Sequence, residues 1–495
     1  MIGSGPTVTR TRHILLPDPR RVIAKPYLPG EDLAPAGNSR TPPLMARLLE
    51  IPEAEVVSAL AGVMAGFSRR HEGFEQILER NFDAVAHYIS PGTSLSHERR
   101  LLMGAYFTHE YSVEAAALCN PSMVTAPDQT GLPTGRRRFI MSLRAVGEGH
   151  ISSIEFRSGL LDAAGEVTLD PAGSKLVTGQ RAAPGAFDRR QFAARLGELG
   201  AGNDIAWSVL SRLPELFTLD ELEGALALMR KDDASSAISY TTARIIRVLA
   251  SSNYVTSFPE SSKIAERVIF PAGPHETRGM EDARFVRFVG DDGAATYYAT
   301  YTAFDGREVL PQLIETERFV SFTISTLAGR AAQNKGMALF PRRIGGRYVM
   351  LSRKDRENLH IATSDDIHVW NDVAELIRPS RPWELLQIGN CGSPLETSEG
   401  WLVLTHGVGP MRRYTIGALL LDLADPGRVI GRLPVPLLSP DESEREGYVP
   451  NVLYSCGGLI HGGILVLPYG FSDQGIRIAL IPVPELLARM SPHGG

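Results

Sequence analysis

Only three cysteines occur in 495 residues, Cys119, Cys391 and Cys456. They stand far apart and lack metal-ligand spacing, which argues against a disulfide framework and against zinc. No stretch reaches the ~18 apolar residues of a membrane span. Met1 to Arg12 carry no apolar core of signal-peptide length, so a cytoplasmic location is expected. Neither sign of charge dominates: 51 Lys and Arg face 56 Asp and Glu, a net charge of −5. That balance gives no electrostatic case for nucleic acid or an anionic membrane. What is present is ordinary globular composition, 43% hydrophobic and 22% charged. The length exceeds one small core, so a large domain with additions, or two to three domains, is expected.

The hydrophobic period changes three times along the chain. Residues 1–118 begin as a proline-rich lead-in (Pro17, Pro19, Pro26, Pro29, Pro35, Pro42, Pro43). Helical spacing follows, in Val56, Val57, Leu60, Val63 and Met64 and again in Phe74, Ile77, Leu78, Phe82 and Val85. Residues 119–187 switch to strand, turn, strand, as in Arg138–Ala145 and Ile151–Gly159. Residues 188–262 return to helix, with Phe192, Leu196, Leu199, Trp207, Leu210, Leu222, Leu226 and Met229 as the apolar stripe of an insertion. Residues 263–495 resume the meander. Units of strand and turn recur at 285–325, 337–370, 392–422 and 449–481, and the unit at 120–168 makes five. Each has the length of a four-stranded blade, so the expected fold is mainly β: a five-bladed β-propeller with an N-terminal helical domain and a helical insertion.

One stretch stands out chemically, Arg278-Gly279-Met280-Glu281-Asp282-Ala283-Arg284-Phe285. Adjacent strand residues point to opposite faces, so Glu281 and Asp282 are not expected to share one solvent environment. One would tie down an arginine or backbone and leave the other free for chemistry; an ion-paired turn at a strand entrance is the plainer alternative. In a propeller, loops at one end of the channel line a single pocket. Asn120, Arg144, Asp282, Arg284, Lys335, Arg353, His406 and Asp473 occupy corresponding slots of successive units and are expected to meet there. A carboxylate among cations suits an acid-assisted reaction on a polar neutral substrate with an anionic co-substrate.

Gly279-Met280-Glu281-Asp282-Ala283-Arg284 resembles the Gly-x-Glu-Asp-Pro-Arg signature of glycoside hydrolase family 130, the β-mannoside phosphorylases and related β-mannosidases. The likeness extends to Tyr301–Gly306, Gly400–Leu402 with Thr405–Gly407, Gly417–Asp422 and Tyr469–Asp473. The resemblance implies a five-bladed propeller with Asp282 as general acid. It further implies Lys335, Arg353 and His406 as a phosphate site, and Asn120, Arg144 and Asp473 as a mannose subsite. The implied reaction is inverting phosphorolysis: a β-linked manno-oligosaccharide and phosphate give α-mannose 1-phosphate and a shortened acceptor. Inorganic phosphate is then the co-substrate, with no metal or other cofactor, and the partners are small molecules, with a homo-oligomer as an open possibility. Two departures are alanine at 283 for proline and lysine at 335 where arginine is frequent, which keeps charge but loses the bidentate fork. An inverting hydrolase using Glu442, Glu444 or Glu446 as base, and a non-catalytic carbohydrate-binding propeller, stay open as alternatives.

Overall fold

A computed structural model describes residues 6–30, 40–173, 175–232 and 237–492. Pro35 of the lead-in and the side chain of Met229 lie outside the described residues. The chain divides into two compact units, one of residues 18–115 with 172–178, the other of residues 1–17, 116–171 and 179–495.

The smaller unit holds the helices Thr41–Glu50, Glu53–Phe67, Phe74–Val85 and His97–Tyr106 beside a two-stranded sheet, Val22–Pro26 with Thr108–Ser112. Ser96 caps the last helix by accepting from the Arg99 amide at 3.1 Å. His71 is buried and bonded to Glu110 at 2.8 Å, a satisfied core histidine. The lead-in does not all belong here. Thr9–Leu15 pairs antiparallel with Gly475–Pro482 and completes the C-terminal sheet, a contact between chain ends that no local pattern announces.

The larger unit is mainly β. Among the described residues most of its strands fall into five antiparallel groups, the first two joined into one sheet where Gly279 pairs in parallel with Ser152. The first is Ala117–Thr125, Arg137–Val146 and Ser152–Leu161 with Val167–Leu169. The second is Gly279–Val289, Ala295–Phe304, Val309–Thr316 and Ser321–Thr326. The third is Ala338–Leu339, Tyr348–Ser352, Leu359–Ser364 and Asp372–Ile377. The fourth is Gln387–Asn390, Trp401–Val408, Tyr414–Leu421 and Val429–Arg432. The fifth is Leu453–Tyr454, Ile464–Phe471 and Gly475–Pro482, closed by Thr9–Leu15.

Successive groups pack face to face through alternate side chains, as half-buried pleated strands require. Phe156 of the first meets Phe285 and Phe322 of the second. Val286 and Phe288 pack with Met350 and Trp370, then Phe340 and Leu351 with Trp401 and Leu419. Leu404 and Ile416 pack with Leu465 and Leu467. The fifth group returns to the first, where the Cys456 amide donates to the Pro121 carbonyl at 2.8 Å.

The insertion between the first two groups has its own core. Phe187, Phe192 and Phe217 meet at 5.4–5.8 Å between ring centroids, over Leu196, Leu222 and Ile246. Asp188 caps Arg189–Glu198 and Asn203 caps Asp204–Leu210. Trp207, read above as part of the apolar stripe, is instead 66% exposed, because this helix buries Ala206, Val209 and Leu210. Among the described residues no helix is long and apolar enough to cross a membrane, and no group of His, Cys, Asp and Glu is placed to hold a metal ion.

Candidate active site

The site is built on two β-bulges in neighbouring strands. The register of Ala117–Thr125 slips between Cys119 and Ser122, and that of Gly279–Val289 slips between Glu281 and Arg284. Each bulge holds a non-glycine residue in left-handed backbone, Asn120 at φ 50° and Asp282 at φ 58°. The two side chains are thereby turned toward each other, and the Asn120 amide donates to Asp282 Oδ1. Strand alternation therefore fails here. Glu281 and Asp282 share one buried cluster, because the bulge re-aims Asp282 onto the side its neighbour faces. Arg144 reaches both, at 2.6 Å from Glu281 Oε1 and 3.8 Å from Asp282 Oδ1. Gly279 makes the approach possible: at φ 126°, a Cβ there would fall 2.5 Å from the Ser152 amide nitrogen.

Glu281 is the carboxylate that is tied down. Arg144 holds one oxygen and Lys335 Nζ the other, at 2.5 Å. Lys335, expected at an anion site, is in this arrangement engaged by Glu281. Ahead of the motif, buried Glu276 accepts from the hydroxyls of Tyr254 and Tyr301 and from the amides of Ala272 and Gly273, which fixes the loop of residues 271–277. Burial opposes charge on Asp282, but Arg284, Arg144, Lys335 and the Asn120 amide outweigh it and hold the carboxyl below its ordinary value. With no substrate bound, these neighbours favour the ionised carboxylate over the acid.

Arg284 joins this cluster to a second one. Its Nε donates to the Cys391 carbonyl at 2.8 Å, Nη1 to the Asp282 carbonyl at 2.8 Å and Nη2 to the Tyr454 hydroxyl at 2.9 Å. The ring of Tyr454 lies 4.9 Å from that of His406. His406 is fully buried, and burial together with Arg353 and Arg284 holds its pKa well below the ordinary value, so the ring is neutral. Arg353 and His406 approach each other across Gly389, where a Cβ would fall 2.7 Å from Arg353 Nε and 2.6 Å from His406 Cε1. With its amide oxygen facing both, Gln387 accepts from Arg353 Nη2 at 2.5 Å and from His406 Nε2 at 3.2 Å. Among the described residues Arg353 pairs with no carboxylate, and its Nε is buried without a partner.

Asp473 sits on a type I′ turn closed by the Gln474 amide on the Phe471 carbonyl at 2.9 Å, with Ser472 at φ 47° and Asp473 at φ 48°. Burial first, then the charges of Asp282 and Glu281, push its pKa up against the attraction of Arg144 and Arg412. The eight residues expected to meet thus fall into one linked cluster: Asn120, Arg144, Asp282, Arg284 and Lys335 about the carboxylates, Arg353 and His406 beyond Tyr454, and Asp473 within electrostatic reach of Arg144 and Asp282.

Of the three carboxylates read as candidate hydrolase bases, Glu444 is already engaged. Glu444 is buried under the Tyr469 hydroxyl at 2.6 Å and the guanidiniums of Arg10 and Arg477, Glu442 pairs with Arg445 at the surface, and Glu446 is exposed. Sequence reading missed Tyr454, Gln387 and Arg412, each of which lies in or beside a strand without a motif of its own. It also missed that the three cysteines converge. Cys119, Cys391 and Cys456 are all buried and free, and burial pushes the Cys391 thiol up to about 12.

A family model described as β-1,4-mannooligosaccharide phosphorylase matches residues 246–491. A protein of Thermoanaerobacter sp. (strain X514) named 1,2-β-oligomannan phosphorylase is 34% identical over 216 residues, 43% of this chain and 71% of the relative. A second protein of that strain, named β-1,2-mannobiose phosphorylase, is 35% identical over 214 residues, 42% of this chain and 68% of the relative. The solved structure of a β-1,2-mannobiose phosphorylase from Listeria innocua aligns over 77% of this chain and 92% of its own at 23% identity, with a TM-score of 0.43. The span matched by the family model includes Glu281 and Asp282, and on the two sequence relatives the chain belongs to glycoside hydrolase family 130.

Proposed function

We propose that this protein is an inverting β-mannoside phosphorylase whose five strand groups close into a five-bladed propeller around the site. Closure is supported by the contact of the fifth group with the first. It is supported too by a cavity of about 310 Å³ lined from every group, by Met123, Phe285, Pro341, Pro394 and Gly458 among others. The chemistry rests on one observation: Arg353, a half-buried guanidinium with no carboxylate partner among the described residues, stands with His406 in the same linked cluster as Asp282. A cation without a counter-ion suits an anionic co-substrate, and phosphate needs no second carboxylate to become a nucleophile.

In this reading Asn120, Arg144 and Asp473 hold the mannose ring and Asp282 protonates the glycosidic oxygen. Phosphate, held by Arg353 and His406 and reached by Lys335, attacks the anomeric carbon from the opposite face. The resting ionisation of Asp282 fits an ordered event. A bound phosphate dianion cancels part of the field of Lys335 and the arginines, so the pKa of Asp282 rises as the site fills, and the acid is charged with its proton when the nucleophile is present.

The β-1,2 linkage is the first to try, because two of the relatives above are named for it. Purified protein incubated with β-1,2-, β-1,3- and β-1,4-mannobiose, with and without phosphate, tests the reading. Phosphate-dependent formation of α-mannose 1-phosphate is expected. Phosphate-independent release of mannose would make the protein a hydrolase, and no turnover of any β-mannoside would leave a binding protein.

A further inference from the structure

Two features at the rim of the site are unaccounted for by the catalytic cluster. The hairpin joining Trp401–Val408 to Tyr414–Leu421 ends in a second left-handed turn, Met411 at φ 58° and Arg412 at φ 55°, with the Arg413 amide on the Pro410 carbonyl at 3.3 Å. Such turns favour Asn-Gly, and two large side chains here sit in backbone that only a surrounding demand retains. Packing does not supply the demand, since Met411 is 92% exposed and Arg412 is exposed and makes no ion pair among the described residues. The hairpin is tied to the segment that carries Tyr448: the Tyr414 amide donates to the Asn451 carbonyl at 3.0 Å, Tyr414 and Val449 pack against one cluster, and the charge of Arg412 acts on Asp473.

The second feature is Tyr448, 62% exposed. Its neighbours fix it beside Asp473: the Val449 amide donates to the Ser472 carbonyl at 3.0 Å, and a Cβ on Gly447 would fall 2.8 Å from the Ser472 Cβ. The ring stacks on His150, with centroids 5.4 Å apart and planes at 24°. His150 follows the strand that carries Arg144 and is itself left-handed at φ 60°. One face of Tyr448 is therefore held by His150 while the residue stays open to solvent, on a segment anchored to Ser472, the residue before Asp473.

We propose that Tyr448, backed by His150, together with Arg412 forms a subsite for the sugar on the leaving side of the scissile bond; this rests on the phosphorylase reading for its orientation. A pyranose presents an apolar C–H face and a belt of hydroxyls. An aromatic ring with one free face takes the first, and a guanidinium beside a carboxylate takes the second. Asp473 offsets the charge of Arg412, which leaves the rim little net charge for an anion, and the neutral hexose is the occupant that satisfies both halves of the rim.

The test uses full-length protein in two measurements. In the synthetic direction, Tyr448→Ala is expected to raise KM for the mannose acceptor about tenfold, the worth of one good contact, while KM for α-mannose 1-phosphate stays within about twofold. Tyr448→Phe is expected to restore the acceptor KM, because the ring face and not the hydroxyl does the holding. Arg412→Ala is expected to behave as Tyr448→Ala does. Equal changes in both constants, or none, would overturn the subsite. Binding of β-1,2-mannotriose to the Asp282→Asn protein by calorimetry gives a readout without turnover. If no β-mannoside is turned over but the triose binds about tenfold more weakly after Tyr448→Ala, the phosphorylase reading fails and the subsite stands. If turnover is found and Tyr448→Ala binds the triose as tightly as the parent, the subsite fails and the phosphorylase reading stands.

Discussion

Replacing Arg353 by alanine separates an anion site from a merely exposed strand-end cation. The guanidinium touches Gln387 and stands beside His406, and among the described residues no carboxylate loses a partner when it goes. Stability should therefore change by no more than about 1 kcal/mol, the net worth of one hydrogen bond. The effect on phosphate should be much larger. Loss of one well-placed donor at a developing or bound anion typically costs ~2–4 kcal/mol, which is about 30- to 700-fold in the phosphate constant. Initial rates measured with phosphate varied at saturating β-mannoside, then the reverse, read this out. The phosphate KM should rise steeply and the mannoside KM should hold. His406 provides a second signal. Arg353 is one of the groups that holds its ring pKa down, so the ring should titrate at higher pH in Arg353→Ala, which NMR can follow. An unchanged phosphate KM in a well-folded variant would refute the site, and so would a loss shared equally between the two substrates.

Asp282→Asn should fold and lose ~10²–10⁴-fold in turnover, the usual worth of a general acid; near-parental activity would remove Asp282 from the chemistry. Glu281→Gln removes the charge that Arg144 and Lys335 share, and breaking a buried pair in this way should cost about 3 kcal/mol or more of unfolding free energy, read by denaturant titration. Asp473→Asn should weaken the mannoside and not phosphate, yet raise Tm at pH 7. The folded pKa of Asp473 is raised, so its contribution is fully favourable below the unfolded carboxylate range and is lost as pH rises through the folded value. The gain in Tm should accordingly shrink as pH falls below the unfolded carboxylate value, and a gain that persisted at low pH would contradict the burial argument.

The sequence alone carried the periods, the turns and the motif. Alternating runs such as Phe285–Phe288 and Tyr297–Tyr301 mark strands because a half-buried pleat needs them. Five units of such runs imply five antiparallel groups, and the Glu281-Asp282 pair with its arginines was visible as chemistry. The tertiary structure decided what depends on register between distant strands. Bulges at Asn120 and Asp282 exist only against their partner strands, so strand alternation gave the wrong facing for Asp282 until the pairing was known. Lys335 meets Glu281 across 54 residues, Tyr454 meets Arg284 across 170, and Thr9–Leu15 finds its sheet at the far end of the chain. None of these is written in a local window, because each is a choice among many polar or strand-forming neighbours that only the packing of whole sheets resolves.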